Sequence, residues 1–107
     1  MDESNADIYL NAGTVDTDVT LENYGGNRTI TISGALEIDN NATLTVKSGS
    51  TLKVISTVAV NSGTLRVESG VKIDLQNLIT VVSGSSLVVE PDVTVYSNTN
   101  NGRIQVN

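Results

Sequence analysis

The sequence predicts an all-β fold: a three-sided parallel β-solenoid of four to five coils, with about 21 to 22 residues in each coil. Three observations support this. Aliphatic residues recur in pairs at positions i and i+2, these pairs recur with a constant period, and short clusters of Gly, Ser, Asn and Asp separate them. Alternation of β-branched and polar residues is typical of half-buried strands. No segment has the spacing of an amphipathic helix.

The period becomes visible when the aliphatic pairs are counted in threes. Between Ile30 and Ile79, every third pair lies 21 or 22 residues further along the chain, as from Ile30 to Leu52 and, on another face, from Leu44 to Leu65. A repeat of this length that holds three short strands matches one coil of a solenoid, whereas a β-sandwich has no reason to keep such a period. Parallel crossovers favour a right-handed path, so we expect a right-handed β-helix.

Arranged by this period, the predicted strands fall on three faces. The first face holds Ile8/Leu10, Ile30/Ile32, Leu52/Val54, Ile73/Leu75 and Val93/Val95. The second face holds Val15, Leu36/Ile38, Val58/Val60, Ile79/Val81 and Ile104/Val106. The third face holds Val19/Leu21, Leu44/Val46, Leu65/Val67 and Leu87/Val89. Aliphatic side chains stacked one rung apart fill a narrow core, and each contributes roughly 1.5–3 kcal/mol.

The predicted corners agree with these faces. Ranges 47–49, 61–63 and 68–70 each end in Gly, which accepts the left-handed backbone of a sharp turn. Pro91 also falls at a corner, where it costs no ladder hydrogen bond. We therefore expect a single solenoid domain over residues 8–107, preceded by a flexible polar segment at residues 1–7. We also expect the last coil to lack its third side.

Composition excludes several functional classes. The chain has 107 residues with no His and no Cys, so thiol chemistry, zinc sites and His-based catalytic triads are excluded. Twelve acidic residues against six basic ones give a net charge of −6, and we expect no nucleic-acid partner. No apolar run approaches the roughly 20 residues that a membrane span needs, so no membrane insertion is expected. No cofactor is expected either.

Two segments carry a family resemblance. Residues 42–54 read ATLTVKSGSTLKV, and residues 63–73 read GTLRVESGVKI. They resemble the LTVxSGATLxV repeats of secreted and surface β-solenoid proteins, especially those of Bacteroidetes-type bacteria, and the resemblance covers roughly residues 29–95. It implies a place outside the cell, as a stalk, spacer or adhesin-like module. Bactofilins, small solenoids that polymerise end to end, are similar in architecture only, because their coils are shorter.

An enzyme is not expected. Solenoid polysaccharide lyases and hydrolases place several carboxylates and a basic residue together on one outer face, whereas Lys53, Lys72 and Asp74 make only a weak polar cluster on the outside of the first face. Such side chains on a solvated strand ordinarily serve solubility and cross-strand pairing. No catalytic residue is therefore predicted.

The first coil contains a weak candidate for a cation site. Asp16, Asp18 and Glu22 lie close together in sequence, and oxygen ligands suit Ca²⁺. The segment has no EF-hand or nonapeptide repeat pattern. A charged end that discourages nonspecific strand pairing is the preferred interpretation.

Two binding functions remain open as alternatives. Thr29/Thr31 and Thr43/Thr45 have the Thr-x-Thr pattern of ice-binding solenoid faces, although charged residues such as Arg66 interrupt the columns. Glycan binding usually needs exposed aromatic platforms, for which only three tyrosines are available: Tyr9, Tyr24 and Tyr96. Either function would make the chain an adhesin-like module acting through an outer face.

The ends of the solenoid are the remaining candidate site. Terminal strands present unpaired backbone groups that can template further strands. The residues expected to mediate head-to-tail self-association are Ile8, Leu10, Val19, Leu21, Ile104 and Val106. The sequence thus predicts a structural, non-catalytic, secreted or cell-surface module that stacks into a fibre or acts as a spacer.

Overall fold

A computed structural model of the chain describes residues 8–22, 28–97 and 99–107. The predicted all-β fold is confirmed, since these residues form fourteen short strands and no helix. The strands are β1 (Ile8–Leu10), β2 (Gly13–Val15), β3 (Val19–Leu21), β4 (Thr29–Ile32), β5 (Leu36–Ile38), β6 (Ala42–Val46), β7 (Thr51–Val54), β8 (Val58–Val60), β9 (Gly63–Val67), β10 (Lys72–Leu75), β11 (Leu78–Val81), β12 (Ser86–Val89), β13 (Thr94–Tyr96) and β14 (Arg103–Val106). The predicted flexible segment, residues 1–7, lies outside the described residues.

The strands form three parallel sheets, which confirms the three-sided solenoid. Sheet A has the order β1-β4-β7-β10-β13, and sheet B has the order β2-β5-β8-β11-β14. Sheet C has the order β3-β6-β9-β12. Each strand from β1 to β11 pairs with the strand three places later in the chain, so the described residues make four full turns and two strands of a fifth. The right-handed path stays a prediction.

The register within the sheets follows the predicted period. Ile30 pairs with Leu52 in sheet A, and Leu44 pairs with Leu65 in sheet C. The inward Ile, Leu and Val side chains of β4 to β11 form one buried core. Each side chain packs against its equivalent on the rungs above and below, as the period requires.

One predicted register is wrong. The sequence placed Val93 and Val95 beside Ile73 and Leu75 on the first face, whereas in the structure Val95 is the residue that pairs with Ile73. The Thr94 amide donates to the Val71 carbonyl at 3.1 Å. The preceding residue, Val93, therefore lies one rung above Val71. The shift is two residues, which keeps the side chains on the expected sides of the strand.

Corner length explains the shift. The corner that connects sheet C to sheet A has the same length in successive turns. It takes six residues to go from Val67 to Ile73, and six residues to go from Val89 to Val95. The left-handed position in this corner is Gly70 in one turn and Asp92 in the next, with φ of 81° and 68°. An Asp tolerates this conformation, so the corner keeps its length without a Gly.

A buried arginine departs from the aliphatic pattern. Arg28, directly before β4, is among the largest fully buried side chains. Its Nη1 donates to the Glu22 carbonyl at 3.3 Å. The Thr51 amide donates to the Arg28 carbonyl at 3.0 Å, which places Arg28 in the rung below Ser50, another buried polar residue. The core therefore has a polar patch near its N-terminal end.

Candidate functional site: the two ends of the solenoid

The C-terminal end surface consists of inward residues from the last three strands. Its exposed members are Val89 of β12, Val95 of β13, and Ile104 and Val106 of β14. Their exposed fractions are 44%, 45%, 37% and 73%. These side chains occupy core positions but have no rung beyond them in the described residues. Apolar side chains beside an open strand edge make a template for strand addition.

Sheet C ends one rung before its neighbours. In the part of the chain that the structure describes, sheets A and B contain five strands and sheet C contains four. The edge strand β12 thus lies one rung below β13 and β14, in a staircase. In the described residues the fifth turn therefore has one strand in sheet A and one in sheet B, and β12 is the edge strand of sheet C.

The N-terminal end surface is formed by β1, β2 and β3, each the first strand of its sheet. Ile8, Leu10, Val15 and Val19 are half-buried and pack against the core. Of the residues predicted to mediate self-association, Leu21 is buried, whereas Ile104 and Val106 are exposed. The sequence did not single out Val89 and Val95, whose exposure depends on where their sheets end.

Two of the candidate cation ligands, Asp16 and Asp18, make hydrogen bonds to the second turn. One carboxylate oxygen of Asp18 accepts a hydrogen bond from the Thr43 amide at 2.9 Å. The Asp16 carbonyl accepts one from the Asn40 side-chain amide at 3.1 Å. Among the described residues, no group of three or more carboxylates could hold a metal ion. Asp18 instead ties the first turn to the second.

Two corner glutamates fasten successive turns to each other. The Glu68 carboxylate lies 3.4 Å from Lys47 Nζ and accepts a hydrogen bond from the Ser48 amide at 3.3 Å. One turn later, the Glu90 carboxylate accepts hydrogen bonds from Arg66 Nε and from the Ser69 amide, both at 3.2 Å. Each Glu therefore binds the Ser-Gly corner of the turn below it together with one basic side chain.

The hydrogen bonds at Glu90 change the pKa values of both Glu90 and Arg66. The hydrogen bond from Arg66 is the main cause that lowers the pKa of Glu90 below its ordinary value, and the Ser69 amide adds to it. The same hydrogen bond raises the pKa of Arg66. Both groups are open to water, so the pair is a surface ion pair that links two successive turns and contributes modestly to stability.

The outside of sheet A carries the polar cluster expected from the sequence. One column contains Tyr9, Thr31, Lys53, Asp74 and Tyr96, each paired with the next across adjacent strands. Asp74 accepts a hydrogen bond from the side chain of Gln76 at 3.0 Å. Lys53 and Asp74 are thus neighbours, with a Tyr at either end of the column. Tyr24 lies outside the described residues.

The threonine columns are interrupted where the sequence indicated. Thr29 and Thr51 are followed in their column by Lys72. In sheet C, Thr45 is followed by Arg66. A charged side chain breaks the flat hydroxyl array that ice binding requires.

Comparisons with protein-family models, curated proteins and solved structures find no match for this chain. The solenoid architecture implied by the repeat resemblance is present, and the comparisons add nothing to its family or taxonomic part. Across the described residues, no helix has the length and apolar character to span a membrane.

Proposed function

We propose that this protein is a structural, non-catalytic module that stacks end to end into a fibre, or serves as a spacer in a surface protein. The observation that carries the proposal is the apolar C-terminal end surface. Four aliphatic side chains at core positions are more than one-third exposed there. Contiguous exposed apolar surface beside unpaired strand edges is typical of a site that another polypeptide covers.

The size of the end surface supports a specific contact. Each side of a coil holds about seven residues, or about 23 Å at 3.3 Å per residue. With side chains included, one end covers on the order of 500 Å². Two stacked ends then bury on the order of 1,000 Å², which is near the lower limit for a specific protein interface.

Placement outside the cell is also proposed, as secreted or surface-bound protein. It rests on the resemblance of residues 42–54 and 63–73 to secreted solenoid repeats. Protease treatment of intact cells that express the protein tests it. Loss of the protein with cytoplasmic markers intact is expected, and full protection would contradict the placement.

Stacking is tested by light scattering after gel filtration and by negative-stain electron microscopy over a range of concentrations. We expect concentration-dependent oligomers and short fibres. Val106→Asp places a charge on the C-terminal end surface and should leave monomers. Gln105→Asp changes the neighbouring outward residue of β14 and should still assemble. A wild-type chain that stays monomeric at millimolar concentration would overturn the stacking function.

Glycan binding is a second candidate, favoured by the outer column of sheet A. Tyr9 and Tyr96 end this column four rungs apart, about 19 Å, which is close to the length of four sugar units. Lys53 and Asp74 lie between them. Calorimetry with linear β-1,4-linked hexasaccharides tests this, with Tyr96→Ala expected to lose binding and Thr94→Ala expected to keep it. No heat with the wild-type chain would overturn it.

A further inference from the structure

The corner between β13 and β14 contains the one Asn-Gly pair of the sequence, Asn101-Gly102. A backbone amide can attack the side-chain carbonyl carbon of the asparagine before it, and glycine hinders this attack least because it has no Cβ. Hydrogen bonds that hold either group oppose the attack, since they must break before the two groups can meet. The contacts around each asparagine therefore decide which one can react.

Four asparagines in the described residues are held at corners of the solenoid. Their side chains form hydrogen bonds, and so do the backbone amides that follow them: Asn40, Asn41, Asn61 and Asn77. Asn61 Nδ2, for example, donates to the Glu37 carboxylate at 2.8 Å. The amide of the next residue, Ser62, donates to the Ile38 carbonyl at 3.1 Å. Both the attacked group and the attacking group are therefore fixed at this corner.

Asn77 is held in a different way with the same result. Its Nδ2 donates to the Ile55 carbonyl at 3.4 Å. The Leu78 amide, which would have to attack, donates instead to Asn77 Oδ1 at 2.8 Å. This hydrogen bond aims the N–H at the side-chain oxygen, so the nitrogen is not placed for attack on the carbon.

Asn101 has neither restraint. It is exposed, and within the described residues neither its side chain nor the Gly102 amide makes a hydrogen bond. The neighbouring Asn100 is exposed as well, but the amide that follows it, that of Asn101, donates to Thr99 Oγ1 at 3.3 Å. Asn101 therefore combines a free side chain with a free attacking amide, which the four held asparagines do not.

Packing requires glycine at position 102. A Cβ added there would overlap the Leu75 carbonyl oxygen and the Ser97 hydroxyl. Ser97 Oγ donates to the Thr99 carbonyl at 3.0 Å, and Thr99 Oγ1 donates to the Gln76 carbonyl at 3.1 Å, so this corner lies against the turn below. The fold therefore places the least hindered attacking amide directly after an exposed asparagine.

We propose that Asn101 is a site of spontaneous deamidation, at which asparagine converts to aspartate and isoaspartate. The Gly102 nitrogen loses its proton and bonds to the Asn101 side-chain carbonyl carbon. The bond from that carbon to the side-chain nitrogen breaks, ammonia leaves, and a succinimide ring remains. Water then opens the ring at one of its carbonyls and gives either product. The reaction needs no enzyme and no second copy of the chain, so it is independent of stacking.

Isoaspartate would disturb the start of β14. It inserts the side-chain methylene into the backbone just before Gly102, where the close approach to Leu75 leaves no room even for a Cβ. The next amide, that of Arg103, donates to the Asn77 carbonyl at 3.3 Å at the start of the pairing of β14 with β11. Displacement of Gly102 should therefore loosen this pairing. Either product also adds one negative charge to a chain of net charge −6.

Peptide mass spectrometry of the purified chain, aged in mildly alkaline buffer, tests the proposed site. Deamidation at Asn101 should be at least about tenfold faster than at Asn61 or Asn77. Methylation by a protein isoaspartate methyltransferase reports the isoaspartate product. Asn101→Gln should abolish both signals at this corner, because a glutamine would have to form a larger and less favourable ring. The matched variant Asn100→Gln should keep the wild-type rate.

Hydrogen exchange of the aged chain tests the structural consequence. Molecules with isoaspartate at position 101 should lose protection in β14 and keep it in β8. Equal rates at Asn101 and Asn61, or loss of the reaction in Asn100→Gln and not in Asn101→Gln, would overturn the proposed site. Unchanged protection of β14 in the isoaspartate-containing molecules would overturn the disturbance at Gly102.

Discussion

Two valines in one column of sheet B show how differently the same sequence pattern behaves in the middle and at the end of the solenoid. Val60 of β8 and Val106 of β14 both point inward and are linked through Val81 by successive pairings. Val60 is fully buried, whereas Val106 is 73% exposed. Both sit at the second position of an i, i+2 aliphatic pair. What differs is whether another rung follows.

Burial of a side chain in this solenoid therefore depends on the turns next to its own turn. A solenoid turn contacts only the turn above and the turn below, so its stability is close to a sum of nearest-neighbour terms. Middle turns receive two such terms and the last turn receives one. Substitutions should therefore differ in effect according to their rung.

The largest expected effect comes from a charge in the middle of the column. Val60→Asp should unfold the protein at room temperature, because an unpaired carboxylate in an aliphatic stack costs more than about 4 kcal/mol. Val106→Asp should cost about 1 kcal/mol or less in the monomer, since water reaches this position. Circular dichroism and urea unfolding measure both. Equal losses would contradict the difference in burial.

A smaller loss of stability is expected when glycines at the corner between sheets B and C are replaced by alanine. Gly63 has a φ of 150°, and an added Cβ would lie 2.2 Å from the Ala42 carbonyl oxygen. Gly63→Ala should therefore destabilise by about 2–4 kcal/mol. Gly84, one turn later, has a φ of 89° and open space around it. Gly84→Ala should cost only about 1 kcal/mol of backbone strain, and urea midpoints of the two variants would decide the order.

The clasp between Arg66 of the third turn and Glu90 of the fourth turn should depend on pH. The pKa of Glu90 lies below its ordinary value of 4.5 in the folded protein, because Arg66 and the Ser69 amide donate hydrogen bonds to it. Its stabilising contribution is therefore complete above about pH 4.5 and is lost as the pH falls through the folded-state pKa. Glu90→Gln should be less stable than the wild type at pH 7, and the gap should close towards pH 2. A gap that is unchanged between these pH values would contradict the clasp.

The smallest effect is expected on an outer face. Thr43 of β6 points away from the core, and its contact with Asp18 uses the backbone amide. Thr43→Lys should change the free energy of unfolding by less than about 0.5 kcal/mol. A collapse of stability would mean that this face is covered by another part of the protein.

Much of the fold could be predicted because one physical requirement repeats in every turn. In the central turns each strand has two inward aliphatic residues at i and i+2 and the turn length is nearly constant, so Ile30 and Leu52 are recognisable as neighbours. The shift at Val95 was missed because three valines in range 89–95 fit the alternation in either register. Only the constant length of the corner separates the two registers, and a pattern of alternation does not measure that length.

The contacts described for the candidate site and its surroundings were also predictable only in part. Ile104 and Val106 could be predicted as end residues from their place in the pattern. The partners Arg66 and Glu90 could not be predicted, because they lie 24 residues apart and meet only when turns stack. Burial of Arg28 was also hidden, since a charged residue in a polar stretch gives no sign that it points inward.

The path of the chain can be predicted from the sequence: the alternation determines which side chains face inward, and the period of the aliphatic pairs determines which of them become vertical neighbours. The exposed end of that stack is defined by the assembled sheets. Exposure at Val89, Val95 and Val106 follows from the number of rungs in each sheet. The physical reason is that alternation acts within a strand, whereas burial requires a strand on each side.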